Sequence, residues 1–442
     1  MHYEQFQDGT VNCIEDEIPF EIPTTWCWSR LSSALDVRDG THDTPSYVTD
    51  GVPLITSKNL NYGKIDYTNV KYISKDDALR INERSGVDVG DILFAMIGTI
   101  GNPSIITDNK LISIKNVALF KFTFCKELSN NFVMFYLYCA QEDMKKKTLG
   151  GLQPFVSLNF LRSYLIPMPP VNEQHKIASA LNESLSIVNN IDSLKREINT
   201  ASDLLKSKIL DLAIRGKLVP QDPNDEPASV LLERIKAEKE ELIKQGKIKR
   251  DKKESVIFKG DDNSYYEKIG NETKCIDDEI LFKIPEKWEW ARLSSIYEYI
   301  FAGGDKPKVF SKEQNEKCQY AIYSNGAEKN GLYGFTDIPR VIKPSITVSG
   351  RGTIGFSCVR HDPYFPIVRL ISITPSSYIS LEFLDFVFKR LLETGTGSSI
   401  PQLTVPMIKQ KLIPVPPLKE QKKIVATVSD FFDQIKLLMK LV

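Results

Sequence analysis

The sequence predicts a mixed α/β protein. Two globular α/β modules, related by an internal pseudo-two-fold repeat, are joined and spaced by long antiparallel coiled-coil helices. Three observations carry that expectation. Residues 13–33, CIEDEIPFEIPTTWCWSRLSS, recur without a gap as residues 275–295, CIDDEILFKIPEKWEWARLSS. Two further blocks recur in the same order: Gly98-Thr99-Ile100-Gly101 as Gly352-Thr353-Ile354-Gly355, and LIPMPPVNEQHKI from Leu165 as LIPVPPLKEQKKI from Leu412. Between 177 and 212, apolar or small residues recur on average every 3.5 positions, the period of a narrow stripe facing a partner helix.

Composition bounds what such a chain does. Its 442 residues are 42% hydrophobic and 26% charged, which excludes a disordered chain and leaves room for two or three domains. With 57 basic and 57 acidic residues the net charge is zero, so nucleic acid is not held by sheer basicity, although a local basic groove remains open. The first ten residues are polar and the longest apolar run, 132–140, is far too short to cross a bilayer. A cytoplasmic location and no membrane partner are expected. The seven cysteines form no C-x-x-C pair, so structural zinc is not expected and reduced thiols are. Cys13 and Cys275 are repeat counterparts, which explains them better than ligand chemistry.

In chain order, residues 1–170 form the first module. Strand-like runs lie at 52–56, 92–97 and 117–124 and a helical run at 131–146, with turn signals at Asp39-Gly40, Asn61 to Gly63 and Gly150-Gly151. Residues 171–274 form a helical spacer and hinge. No Gly or Pro occurs from 171 to 215, and Pro169-Pro170 and Gly216 bracket the run, as helix start and stop signals do. At 1.5 Å per residue that helix is roughly 65 Å long. A turn at 217–227, a charged helix at 228–245 and a basic hinge at 247–253 follow. Residues 275–417 form the second module, with strands at 345–349 and 367–373, a helix at 381–392, and turns at Gly303-Gly304, Asn330-Gly331 and Gly350 to Gly352. In 418–442, Ile424, Val428, Phe431, Ile435, Leu438 and Val442 step alternately by four and three. The matching stripe at 177–212 is the natural partner of this C-terminal helix.

Nothing in the chain marks catalysis. It has no phosphate-binding G-x-x-x-x-G-K-[ST] loop, its Pro-Pro pairs occur only inside the repeat, and its four histidines are scattered. Residues 1–170 carry 16 basic and 20 acidic groups, a net of −4, and 275–417 carry 17 and 15, a net of +2. The sequence describes a binder. All four tryptophans lie in the first repeated block, where a core anchor explains them better than base stacking.

The W-x-W-x-R-L opening, the mid-module G-T-I-G block and the L-I-P-x-P-P-x-x-E-Q-x-K-I close, all present twice, closely resemble the specificity subunit of type I restriction–modification systems. DGTHDTP from Asp39, SKNL at 57–60, SGRGTIG at 349–355 and LLERIKAEKEELIKQGKIKRDK at 231–252 add to the resemblance, which covers essentially the whole chain. It implies two target-recognition domains, each reading one half of a split double-stranded DNA sequence. It also implies long helices that space them and dock methyltransferase (modification) subunits, and a separate motor-nuclease (restriction) subunit. No cofactor is expected in this chain; S-adenosylmethionine, ATP and magnesium belong to the partner subunits. A protein-binding scaffold, or a DNA enzyme with an unrecognised active site, are the competing readings. The second helical region has no counterpart of roughly 217–262 after it, which leaves the number of docked methyltransferase subunits open.

Base edges and phosphates are met by Arg, Lys, Asn, Gln, Ser or Thr on exposed loops. In the first module the candidates are Thr41, His42 and Thr44, then Ser57, Lys58 and Asn59, with Arg80 and Arg84 as additions. In the second they are Lys306, Lys308, Ser324, Asn325 and Arg351. No catalytic or metal-ligating residue is expected.

Overall fold

The computed structural model describes every residue except 62, 125, 148–154, 247, 249, 251–253, 393–394, 397–401 and 442. The Gly150-Gly151 turn, Val442 of the C-terminal stripe, and Lys247, Lys249 and 251–253 of the basic hinge therefore lie outside the described residues. The chain divides into two compact units, Met1–Asp192 and Ser193–Val442. Each contains one copy of the repeat.

The repeated blocks, distant in sequence, are hydrogen-bonded neighbours. In the first unit the strand Cys27–Arg30 pairs antiparallel with Leu165–Met168, setting Trp28 opposite Pro167 and Arg30 opposite Leu165. In the second, Glu289–Arg292 pairs with Leu412–Val415, setting Trp290 opposite Pro414 and Arg292 opposite Leu412. The opening and closing blocks of each module thus form one two-stranded frame. Its side chains are fixed in the same way twice. Trp26 Nε1 donates to Glu173 Oε2 at 3.1 Å, and Trp288 Nε1 donates to Glu420 Oε2 at 2.9 Å. The buried Gln174 accepts from Ser129 N and donates to Pro169 O; Gln421 accepts from Ser380 N and donates to Pro416 O. Each Glu-Gln pair therefore ties the start of a long helix to the frame and to the N-terminus of the module's own helix.

The frame arginine closes the arrangement. Arg30 bonds both carboxylate oxygens of Glu4, then Glu17 and the Ser163 carbonyl. Arg292 bonds both oxygens of Glu267, pairs with Glu279 and donates to the Gln410 carbonyl. Glu4 and Glu267 lie on hairpins, Tyr3–Gln5 with Val11–Cys13 and Tyr265–Ile269 with Glu272–Cys275. These hairpins extend each repeat upstream of the block legible in the sequence.

Inside the frames the contents differ, but the larger sheet keeps one strand order. The first unit has an antiparallel sheet in the order Gly101–Ile105, Ile92–Ala95, Val117–Lys121, Asp36–Asp39. The second has Ser357–Arg360, Ser345–Val348, Ile371–Pro375, Tyr297–Ala302. A smaller sheet in each includes one parallel pair, Val52–Ile55 with Ser113–Ile114 and Tyr320–Tyr323 with Tyr364–Pro366. In the first module Ile92, Phe94 and Phe120 pack on the helix Asn130–Lys147, while Leu93, Ala95 and Leu119 pack on Ile55 and Ile114. Burial on both faces explains why these strands read as continuous apolar runs. The strand expected at 367–373 starts only at Ile371. Residues 367–370 form a turn instead, in which Ile367 and Leu370 are buried and Val368 is exposed. The apolar residues Ile367, Val368 and Leu370, running into Ile371, imitated a strand there. The helix Lys75–Ser85 was not anticipated; of its apolar residues only Ala78 is buried.

The G-T-I-G block lies between equivalent strands in both sheets. All four of its glycines have positive φ, 75° and 108° at Gly98 and Gly101, 67° and 80° at Gly352 and Gly355, a region that L side chains avoid. Ile100 and Ile354 are buried as the loop's anchors.

The long helix spans Val171–Ile214 and the charged helix Ala228–Lys244. In the second unit Ile209, Leu210, Ala213 and Ile214 enter one core with Ala228, Leu231, Ile235, Trp288, Trp290, Ile424, Val428 and Ile435. The middle of the 3.5-residue stripe, Leu181, Leu185, Val188, Ile191, Leu194, Ile198 and Leu205, is 37–55% exposed. On the C-terminal helix Leu418–Met439, Phe431 and Leu438 are exposed as well.

Burial pushes the Glu420 carboxyl above its ordinary value of 4.5, against the opposing hydrogen bonds from Trp288 and Gln221. The folded state then holds a proton that the unfolded state releases. Stability at this site should fall as pH rises from about 4.5 through the raised value, then level off. Glu420→Gln keeps an oxygen for Trp288 and cannot ionise, so melting temperatures measured across that range should decline less in the variant than in the parent.

Candidate functional site

At one end of each module the same set of loops converges. In the first, the chain leaves Asp36–Asp39 through Gly40 and Thr41. It leaves Val52–Ile55 through Thr56 to Asn59, and Ser113–Ile114 through Lys115 and Asn116. Loop contacts join these segments: Gly40 N donates to Val117 O, Thr41 N to Ile114 O, Lys115 N to Ile55 O and Asn116 N to Thr41 O. The second module repeats the pattern. Gly303 N donates to Leu370 O, Val368 N to Gly304 O, Arg369 N to Gly303 O and Ile367 N to Tyr323 O. Glycine is required where the first of these loops starts. A Cβ on Gly40 would lie 2.4 Å from Ile114 O, and one on Gly303 would lie 2.6 Å from Pro366 C.

The candidates of the first module come together on this end. Ser57, Lys58 and Asn59 line a cleft of about 380 Å³ with Tyr47, Lys71, Thr99, Lys115 and Asn116. Thr41, His42, Thr44, Arg80 and Arg84 line an adjoining one, Arg80 and Arg84 from the helix Lys75–Ser85 and not from a loop. Lys115 lies between the clefts: its ammonium donates to the carbonyls of His42 and Asp43 and to Thr44 Oγ1 at 2.5 Å. His42 bridges the buried Asp39, at 2.9 Å from Nε2, and Asn116, at 3.0 Å from Nδ1. Arg84 pairs with the other oxygen of Asp39 at 2.5 Å, and Arg80 pairs with Asp77.

Asn59 corrects the expectation of an exposed contact. It is 6% exposed, its Oδ1 accepts from Thr56 N and Oγ1, and its Nδ2 donates to Asp66 O. The amide is used up shaping the loop that presents Ser57 and Lys58.

In the second module Ser324 and Asn325 occupy the loop equivalent to 56–59. Asn325 Oδ1 accepts from Gly350 N and Nδ2 donates to Val368 O at 2.5 Å, so this side chain also joins loops to one another. Lys306 and Lys308 are exposed on the loop equivalent to 41–45. The Lys306 ammonium lies 3.3 Å from the centroid of Phe310, which presents it on an aromatic face. Arg351 projects from the G-T-I-G loop, 3.3 Å from Gln402 Oε1.

Sequence reasoning missed Thr99, Lys115, Asn116, Arg369 and Gln402, all on the same loop ends. Asn116 carried a usable signal, since asparagine is enriched in left-handed turns. Arg369 carried none. Among the described residues no group of three or more His, Cys, Asp or Glu could hold a metal ion, and no helix is long and apolar enough to cross a membrane.

The arrangement presents donors and acceptors on short loops fixed by backbone hydrogen bonds over a rigid sheet, once per module and with different side chains each time.

Comparison with known proteins agrees. A family described as the type I restriction modification DNA specificity domain matches residues 50–200 and 285–441. Over 489 aligned positions the chain is 23% identical to the type I restriction enzyme EcoAI specificity subunit of Escherichia coli, covering 94% of this chain and 79% of that protein. It is 25% identical to the EcoEI specificity subunit of the same organism, covering 96% and 80%. A chain from a solved structure on complex assembly and conformational transition of the type I R-M system superposes with a TM-score of 0.64 at 16% identity, covering 96% of this chain and 94% of that one.

Proposed function

The chain belongs to the type I restriction–modification DNA specificity family and is a specificity subunit of such a system. From that premise we propose that each module reads one half of a bipartite, asymmetric double-stranded DNA target through its loop end. One observation carries this reading: two loop ends joined by equivalent backbone hydrogen bonds present different side chains, Thr41, His42, Lys58, Lys115 and Asn116 against Lys306, Lys308, Arg351 and Arg369. The frame positions a module and the loops discriminate between bases.

The chain carries no chemistry of its own in this reading. Methyltransferase subunits dock on its helices and bring S-adenosylmethionine. A motor-nuclease subunit brings ATP and magnesium. The exposed stripe from Leu181 to Leu205 and the C-terminal helix supply the apolar faces for helix pairing, which sets the distance between the two readers.

The test is a complex of this chain with its modification subunits, incubated with a random DNA pool. Selection of one split sequence, with affinity falling steeply as salt rises, is the expected result. Binding without sequence preference, or methylation by the purified chain alone, overturns the proposal. The spacing has its own test. Seven residues inserted between 180 and 205 keep the heptad phase and add about 10 Å. The gap between the half-sites should widen by about three base pairs; an unchanged gap removes the helix as the spacer.

A further inference from the structure

Two turns with no sequence in common place left-handed residues at the same point of the fold, one in the first and two in succession in the second; by their bonds to Thr41 O and Gly304 O, Asn116 corresponds to Val368, and Arg369 is the residue after it. The turn between Ser113–Ile114 and Val117–Lys121 has Asn116 at φ 55°, and the turn between Tyr364–Pro366 and Ile371–Pro375 has Val368 at 52° and Arg369 at 59°. Asparagine visits this region more readily than most residues; a β-branched valine there is a true outlier. Such a conformation persists only where its surroundings over-determine it, and it clusters at functional sites. Here Val368 N and Arg369 N donate to Gly304 O and Gly303 O, both at 2.8 Å, Leu370 N donates to Ile367 O at 3.0 Å, and Asn325 Nδ2 holds Val368 O. The strain has a consequence: it turns Arg369 outward from a chain that otherwise continues into a buried strand.

The side chains at the two turns are prepared differently. Asn116 is held through one amide atom by His42, itself fixed by the buried Asp39. That leaves the other end of the amide for a partner. Arg369 is exposed, with Nη1 3.4 Å from Gln402 Oε1, and Arg351 reaches the same oxygen at 3.3 Å. Among the described residues no carboxylate lies within ion-pair distance of either guanidinium, whereas Arg80 and Arg84 on the first module are both paired. Two guanidiniums sharing one amide oxygen retain most of their donors for an acceptor that the described residues do not supply.

We propose that this left-handed turn is the base-reading element common to both modules, Asn116 reading an adenine in one half-site and Arg369, one residue beyond the counterpart of Asn116, a guanine in the other. The inference deepens the DNA-reading proposal above and rests on it. The chemistry is that of the major groove. A carboxamide matches the N6 donor and N7 acceptor of adenine, and a guanidinium matches the O6 and N7 acceptors of guanine. His42 and Gln402 are positioning residues for the two readers. Because the second turn is longer and adds a further left-handed residue, the reading side chain is displaced along the chain as well as changed, and related backbone solutions serve two different letters.

The experiment uses the complex with modification subunits and compares selected sequences for the parent, Arg369→Ala, Arg369→Asn and Asn116→Ala. Arg369→Ala should lose the preference for guanine at one base pair of one half-site by roughly 5- to 150-fold, with the other half-site unchanged. Arg369→Asn, which the left-handed backbone tolerates, should lose it too, so a folding failure of the alanine variant does not decide the question. Asn116→Ala should relax a single adenine in the opposite half-site. Equal weakening on all sequences would mark phosphate contacts, and unchanged selection would mark surface residues; either overturns the inference. A parent complex that selects no sequence sinks the DNA-reading proposal itself. A specific parent with equally specific variants sinks only the assignment of this turn.

Discussion

Replacing Arg292 by alanine should destabilise the second module by about 3–5 kcal/mol, the cost of leaving a buried carboxylate without its partner. Both side chains of the Arg292–Glu267 pair are only 7% exposed. The hydrogen bond from Arg292 holds Glu267 below the usual carboxylate range, against the upward push of burial. The contribution of Glu267 is therefore fully present above its unfolded value of about 4.5 and is lost as pH falls through the lower folded one. Removing the arginine should abolish that acid-side loss as well as lowering the midpoint of denaturant unfolding at neutral pH. The counterpart, Arg30→Ala, should cost less. Its partners Glu4 and Glu17 are 23% and 52% exposed, so water replaces much of what is removed. Equal costs for the two variants would contradict this account of the frame.

The second large effect is expected at Gly303. An added methyl group there meets backbone atoms of Pro366 and Ile367 within 2.8 Å, and backbone cannot rotate out of the way as a flexible side chain can. The loop carrying Lys306 and Lys308 and the turn carrying Arg369 must move apart. Gly303→Ala should therefore keep a folded module and lose reading of one half-site. With each base contact worth about 1–3 kcal/mol, displacement of Arg369 alone amounts to about 1–3 kcal/mol of specific binding. Gly40→Ala should do the same to the other half-site, since its Cβ meets Ile114 and Lys115. Binding of the reconstituted complex to targets altered in one half at a time measures both. If each variant reads both halves as the parent does, these loop ends are not the readers.

How much of this was legible beforehand depended on whether a feature is local. The repeat announced two modules, and the lack of Gly and Pro with a 3.5-residue period announced the long helix, now seen as Val171–Ile214. Candidate loops at 41–44, 57–59, 306–308 and 324–325 were readable because turn and polar residues cluster there. The joining of the opening and closing blocks into one frame was not readable, since strand pairing across 120–141 residues leaves no local mark. The burial of Asn59 was hidden for a related reason: an amide that caps its own loop looks the same in sequence as one offered to a ligand. At 367–370 the apolar residues Ile367, Val368 and Leu370 suggested a strand. Only the tertiary hydrogen bonds to Gly303, Gly304 and Asn325 impose the turn.

Each module begins and finishes on adjacent, hydrogen-bonded strands whose sequences are nearly interchangeable between the copies, Cys27–Arg30 with Leu165–Met168 and Glu289–Arg292 with Leu412–Val415. A genetic crossover placed inside those matching stretches would splice a foreign cassette between ends that already fit. The indole–carboxylate bond and the arginine's carboxylate partners would be retained, and the buried glutamine and the arginine fork would ask only a backbone N–H and a carbonyl of the incoming cassette. Evolution can thus exchange one reading head wholesale while the rest of the machine stays as it was.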